Sequence, residues 1–378
     1  MRRQNDSTRS DRRRFLAGSA ALGAAALAGC TNLVGDGSDT TNEPTDSPVG
    51  QIGSGREGRE APGGTPVAEL PDLEGELQIY SGRSEFLVNE LISFLDDTYP
   101  EFEPVVRYGG SSELVNQIGT EGEGSPADVF YTVDSAGLGA LADEGLTRGL
   151  STEVTDPVRE EFHTEQWVGT SGRARSVPFN TNAYSESEIP DDVMTFPSFE
   201  GQMGWAPSYG SCQGFVTAMR QIEGEEATRE WLQGMVEAGI EEYPNELAVA
   251  EAVANGELDA GFGNHYYIQR VLAGSPNAPI QTAFTSGDAG SIFDVAGAAV
   301  IDQTERGEMA ENFIRHLLSA EAQEYFAVET YEYPVIPEVD PVGQLPSIDE
   351  LDVPDLRLAE LSDVQATIDL MREVGINT

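Results

Sequence analysis

The 378-residue chain contains no lysine: all 21 of its basic residues are arginine, set against 66 acidic residues for a formal net charge of −45. Such an acidic excess argues against nucleic acid as a partner, because phosphates are held by clustered Lys and Arg. The only cysteines are Cys30 and Cys212. A pair so placed gives no disulfide framework and no thiolate metal site. The three histidines, His163, His265 and His316, form no HExxH or His-x-His pattern, which argues against a zinc hydrolase. Neither a GxSxG elbow, a Ser-His-Asp order nor a Gly-rich nucleotide fingerprint occurs, so the sequence reads as a binding protein rather than an enzyme.

The one sustained apolar run, LAGSAALGAAALAGC, is too short to span a bilayer comfortably. It follows Asp11-Arg12-Arg13-Arg14-Phe15-Leu16, which resembles a twin-arginine export pattern. It ends in Leu27-Ala28-Gly29-Cys30, which resembles a lipobox. Residues 1–30 are therefore expected to be an export signal, with lipidation at Cys30 tethering the chain to the outer face of the membrane. The next stretch, 31–70, is rich in Gly, Ser, Thr, Asp and Pro with almost no apolar periodicity. It is expected to be a flexible acidic spacer.

Six arginines precede Cys30, so a chain cut there is more acidic still. At ordinary salt it would repel itself, whereas molar salt screens charge to within about 3 Å. The composition is that of a halophilic protein, its charge a solvated coat rather than a binding device. With Cys30 assigned to lipid, Cys212 is left as a small buried residue.

The remaining ~300 residues are roughly two domains' worth. Short apolar strands alternate with amphipathic helices, the mark of α/β layers. ELQIYSG, PVVRYGG and ADVFYTV read as strands, each followed by a helix. RARSVPFNTN reads as an extended segment crossing to a second lobe. Beyond it GQMGWAPSYG, ELDAGFGNHYY and FDVAGAAVID read as strands, and RGEMAENFIRHLLSAEAQEYFAVET as one long helix. Residues 71–170 with 290–335 are expected to form lobe 1, and 171–289 with 336–378 lobe 2.

Within the second lobe, Gly263-Asn264-His265-Tyr266-Tyr267 places two phenols side by side. Phenolate is a hard oxygen donor suited to a hard cation such as Fe(III). On a strand the two side chains point to opposite faces; at a turn or helix start both can converge on one ion. Alone, such a pair is more often a surface aromatic patch.

The run IYSGRSE, YGGSSEL, SPADVFYTVDSAGLGALADEGL, SGRARSVPFNT, AVANGELDAGFGNHYY and GSIFDVAGAAVI resembles the ferric iron-binding proteins of ABC importers, in order across nearly all of 76–335. The resemblance implies a type II periplasmic-binding fold: two α/β lobes joined by a strand hinge, closing on a ligand in the central cleft. It implies Tyr266 and Tyr267 as metal ligands and Asn264 as a holder of a synergistic phosphate- or carbonate-type anion. The family's Ser-Gly anion loop aligns with Tyr209-Gly210-Ser211, and since other members supply a tyrosine there, Tyr209 is a candidate third phenolate. Two family ligands do not match. A histidine after the first strand is Ser84 here, and a glutamate after the third falls on Val133, with Asp134 next to it as a candidate oxygen ligand.

Four segments place Gly, Ser or Asn at expected helix starts: 81–84, 109–112, 209–211 and 244–245. Free N–H groups at such starts bind anions, although plain N-capping needs no ligand. Ser84, Ser111, Ser112, Gly210, Ser211 and Asn245 are thus candidate anion contacts, with Asn245 and its neighbour Glu246 alternative in register. Arg83, Arg173 and Arg175 could add guanidinium forks or pair with surface acids. The expected function is extracytoplasmic capture of Fe(III) by a monomer that serves a permease and its ATPase. The alternative within the same fold is an organic cation or an oxyanion, with Tyr266, Tyr267 and Trp205 as stacking walls.

Overall fold

The structure, a computed structural model, describes residues 49–56, 58–356 and 363–378. The expected signal and Cys30 lie outside them. The first lobe is built from alternating elements: β1 (Gly75–Ser81), α1 (Glu85–Thr98), β2 (Phe102–Tyr108), α2 (Ser111–Glu121), β3 (Val129–Thr132), α3 (Ser135–Asp143) and the short α4 (Thr152–Thr155). β1 pairs in parallel with both β2 and β3. β3, Val-Phe-Tyr-Thr, is buried along its whole length, as a strand covered on both faces should be.

The 13-residue strand β4 (Val168–Asn180) joins the two halves. Its first part, through Ala174, pairs with β10 (Phe293–Val300), which also pairs with β3. From Arg175 onward it pairs instead with β8 (Gly263–Asn264), β9 (Ile280–Ala283) and β7 (Ala260–Gly261). The second half adds β5 (Met203–Trp205), α5 (Gly210–Ile222), α6 (Glu225–Glu237), β6 (Glu241–Glu242), α7 (Glu246–Asn255) and α8 (His265–Gly274). The sheet order is β2-β1-β3-β10-β4-β7-β5-β6. The segment expected to cross between lobes is thus the C-terminal part of β4. Apolar side chains form one core around β1–β3 and β10, and separate clusters around α5, α6 and Trp205 and around α7 and α8.

Three expectations are corrected. The described residues of the expected spacer, 49–56 and 58–70, are packed: Ile52 and Val67 are buried in the first core, Arg56 pairs with Glu324, and the Gly50 and Val67 amides donate to Glu321. Its few apolar residues dock singly, which leaves no period to read. The long helix is broken into α9 (Gly307–Leu317), α10 (Ala320–Tyr325) and a π-turn, Phe326–Thr330. Ser319 causes the break, because its hydroxyl caps α10 by accepting from the Ala322 amide. The segment from 336, expected in the second lobe, packs first on the other: Ile336, Val339 and Leu351 join the first core. Leu356, then α11 (Val364–Glu373) through Leu370 and Met371, and Ile376 beyond it join the second.

Candidate metal-binding site

The two strand residues Gly263 and Asn264 are followed at once by α8, with Asn264 at the N-cap in extended geometry, φ −74° and ψ 141°. Tyr266 and Tyr267 therefore lie in a first helical turn and not on a strand. Their ring centroids are 4.5 Å apart. Tyr209, at the N-cap of α5, brings a third phenol, its Oη 2.7 Å from Tyr267 Oη. Asn264 Nδ2 donates to Tyr266 Oη at 3.1 Å. Arg270, one turn along α8, lies over both rings, 5.0 Å from the Tyr266 centroid and 5.3 Å from that of Tyr267.

Burial pushes the Tyr267 hydroxyl far above the usual phenol range, and the neighbouring Tyr266 and Tyr209 push it further. Burial also raises Tyr266, followed by the negative Glu246, while Arg173 pulls it back. Tyr266 and Tyr267 are neutral without a cation, and an ion that binds them must drive off their protons. Among the described residues no group of three His, Cys, Asp or Glu gathers to hold a metal, so the phenols are the concentrated donors here.

Behind them runs a charged layer. Arg175 lies opposite Asn264 in the β4–β8 register, and its guanidinium pairs with buried Glu246 at the start of α7. Glu246 also accepts from the Ser211 hydroxyl at 2.5 Å and the Asn264 amide at 2.9 Å. Two residues earlier on the same face of β4, Arg173 pairs with Asp294 and donates to the Val133 carbonyl. Burial acts against its charge, but Asp294, Tyr266 and Asp134 outweigh it and raise its pKa. His265 is buried and pushed down to about 4, chiefly by burial. It accepts from the Ala174 amide and donates to the Tyr331 carbonyl, and is not free for a metal.

A family model described as bacterial extracellular solute-binding protein matches residues 94–349. The chain belongs to that family. Among its relatives, the major ferric iron-binding protein of Neisseria meningitidis is 30% identical over 70% of this chain and 82% of its own. The Fe(3+)-binding periplasmic protein of Serratia marcescens is 27% identical over 82% of this chain and 93% of its own. Iron-bound HitA from Pseudomonas aeruginosa superposes with a TM-score of 0.70 and 29% identity, covering 80% of this chain and all (100%) of that one. The fold is accordingly the two-lobed one that the sequence resemblance implied.

In this solute-binding protein the other sequence candidates divide. Gly210 and Ser211 open α5 beside Tyr209, within the cluster. Asp134 caps α3 by accepting from the Gly137 amide at 2.8 Å, on the first-lobe side near Arg173. Asn245 spends its Oδ1 on capping α7, through Ala248 N at 2.9 Å, and it is Glu246 that faces the cluster. Ser111 accepts from the Thr132 hydroxyl at 2.7 Å. Ser84 and Ser112 stand exposed at the starts of α1 and α2, and no phenol bonds to any of these three serines. Arg83 is no anion fork: it is buried between the Tyr131 and Phe326 rings and pairs with Glu332. Trp205 is fully buried against Trp231 and cannot wall a ligand cleft. The sequence reading passed over Arg270, although its spacing of three from Tyr267 puts it on the same helical face. It also passed over Asp294, for which no local signal exists.

Proposed function

We propose that this solute-binding protein captures Fe(III) outside the cell, with the phenolates of Tyr266, Tyr267 and Tyr209 as ligands, and passes it unchanged to an ABC permease and its ATPase. The observation that carries this is the convergence of three phenol oxygens from two helix starts, two of them 2.7 Å apart. Fe(III) prefers hard anionic oxygens, and such a set binds it without any redox step. The names of the Neisseria and Serratia relatives support the same cargo. Asp134 is a further oxygen donor available when the lobes close. The reading includes a lipid anchor at Cys30 and a monomeric, halophilic receptor that binds no nucleic acid. The sequence-based expectation adds a phosphate- or carbonate-type anion held by Asn264, Gly210 and Ser211. Ser211 and the Asn264 amide already donate to Glu246, so this reading keeps the iron and the phenolates and leaves that anion out.

The test is titration of the lipid-free protein with a ferric chelate in molar KCl. A visible phenolate-to-iron charge-transfer band should saturate at one ion per chain and vanish in the Y266F/Y267F double variant. A folded wild-type protein that stays colourless sinks the proposal.

A further inference from the structure

Three donors in this site are spent on a single carboxylate. Arg175 Nη1 and Ser211 Oγ both donate to Glu246 Oε1, and the Asn264 amide donates to Oε2 at 2.9 Å. Those donors include the Ser211 hydroxyl and the Asn264 backbone N–H, from two of the residues that the sequence resemblance assigns to an anion. The guanidinium beside them is wholly internal: the side chain of Arg175 is 1% exposed and that of Glu246 0%. Arg175 stacks over the Phe215 ring at 4.8 Å and bonds to Glu246 through Nη1, while its Nε and Nη2 have no hydrogen-bond partner. A carboxylate is left uncompensated in a protein interior only at great cost, and here charge-assisted donors satisfy both of its oxygens.

We propose that Glu246 is a built-in anion: its carboxylate fills the place of an external phosphate or carbonate, so that Fe(III) binds to the three phenols with no synergistic anion. The proposal rests on the iron reading above. Glu246 acts as a positioning residue, fixing Asn264 and Ser211 and holding Arg175 as its countercharge behind the phenolates. An external oxyanion would have to break a buried ion pair to enter, whereas removal of the carboxylate would leave a guanidinium, a hydroxyl and an amide N–H facing a space of oxyanion size.

The full-length lipid-free protein is loaded from ferric nitrilotriacetate in carbonate-free molar KCl, with labelled phosphate or labelled nitrilotriacetate present, and then desalted. The expected result is one iron retained per chain with neither label, and a charge-transfer band that is unchanged on adding phosphate or bicarbonate. Label retained in step with iron, or a band or release rate that follows the identity of the anion, overturns the proposal while leaving iron binding intact. Absence of colour under every anion brings down the iron reading itself, and this inference with it. E246A should then release iron ~10-fold faster without anion and recover with phosphate, as loss of an outer partner of a metal ligand does. If E246A does not fold, E246L/R175M removes both charges, and phosphate should leave its iron release unchanged; rescue of this double variant by phosphate would also overturn the proposal. The wild-type labelling needs no variant.

Discussion

Tyr209 Oη and Tyr267 Oη are 2.7 Å apart although 58 residues separate them in the chain. The hydrogen bond ties the first turn of α8 to the start of α5 before any ion arrives, so the phenols are gathered in advance. Pre-gathering lowers the ordering cost of binding. Tyr209→Phe should keep the fold and lower iron affinity by about 10–100-fold, with a shift of the visible band. Iron titration beside circular dichroism checks this; an unchanged affinity would remove Tyr209 from the ligand set.

Acid should release the metal. Burial and the neighbouring phenols raise Tyr267 far above the ordinary phenol range, so it is protonated at every physiological pH in the free protein. Iron must expel those protons, and the protonated state therefore gains on the bound state as pH falls. Affinity should drop by about three powers of ten per pH unit if all three phenol protons leave. Competition against a chelator of known affinity at several pH values measures the slope, and a flat profile would rule out phenolate ligation.

His316 makes stability depend on pH away from the site. It is buried, donates from Nδ1 to the Asn312 carbonyl and meets the Tyr99 hydroxyl at Nε2, 2.8 Å away. Burial pushes it down to about 4, Arg315 pulls the same way, and its backbone bond and Asp72 act against them. A base whose folded pKa is lowered binds its proton less readily than in the unfolded chain. Its contribution is therefore full above the unfolded value of ~6.5 and is lost as pH falls toward 4, to the extent of about 3 kcal/mol. Denaturant melts of the wild type and His316→Gln between pH 7 and 4 should converge as pH falls. Parallel curves would contradict this account.

Low salt should unfold the chain. With a net charge of −45 and no lysine, self-repulsion is screened only at high ionic strength. The Tm should rise steeply from 0.1 to 2 M KCl, roughly the range over which the Debye length falls from about 10 Å to below 3 Å. A Tm independent of salt would refute the halophilic reading.

The alternation of strand and helix through the first lobe was legible because β1, β2 and β3 each carry a compact apolar run and each following helix an apolar face. The crossing segment was legible in RARSVPFNTN for the same reason. The packing of the described residues between 50 and 70 was not, since isolated apolar residues, Arg56, Arg59 and scattered backbone amides hold them and none makes a pattern. Nor was the break at Ser319, a residue that fits an amphipathic helix as well as it caps one. In the site, the tyrosine pair announced itself through its chemistry. The role of Glu246 did not, because a one-residue shift at Asn245 decides which side chain turns inward, and only the cap bond to Ala248 fixes that shift.

Arg173 and Arg175 stand on one face of β4 with a single alanine between them, the first fastened to Asp294 of one lobe and the second to Glu246 of the other. Each lobe thus carries its own rivet into the same short length of backbone. Both pairs meet the strand one residue from Ala174, whose amide is itself engaged by His265, so the strand that joins the lobes is clamped from both sides at one point.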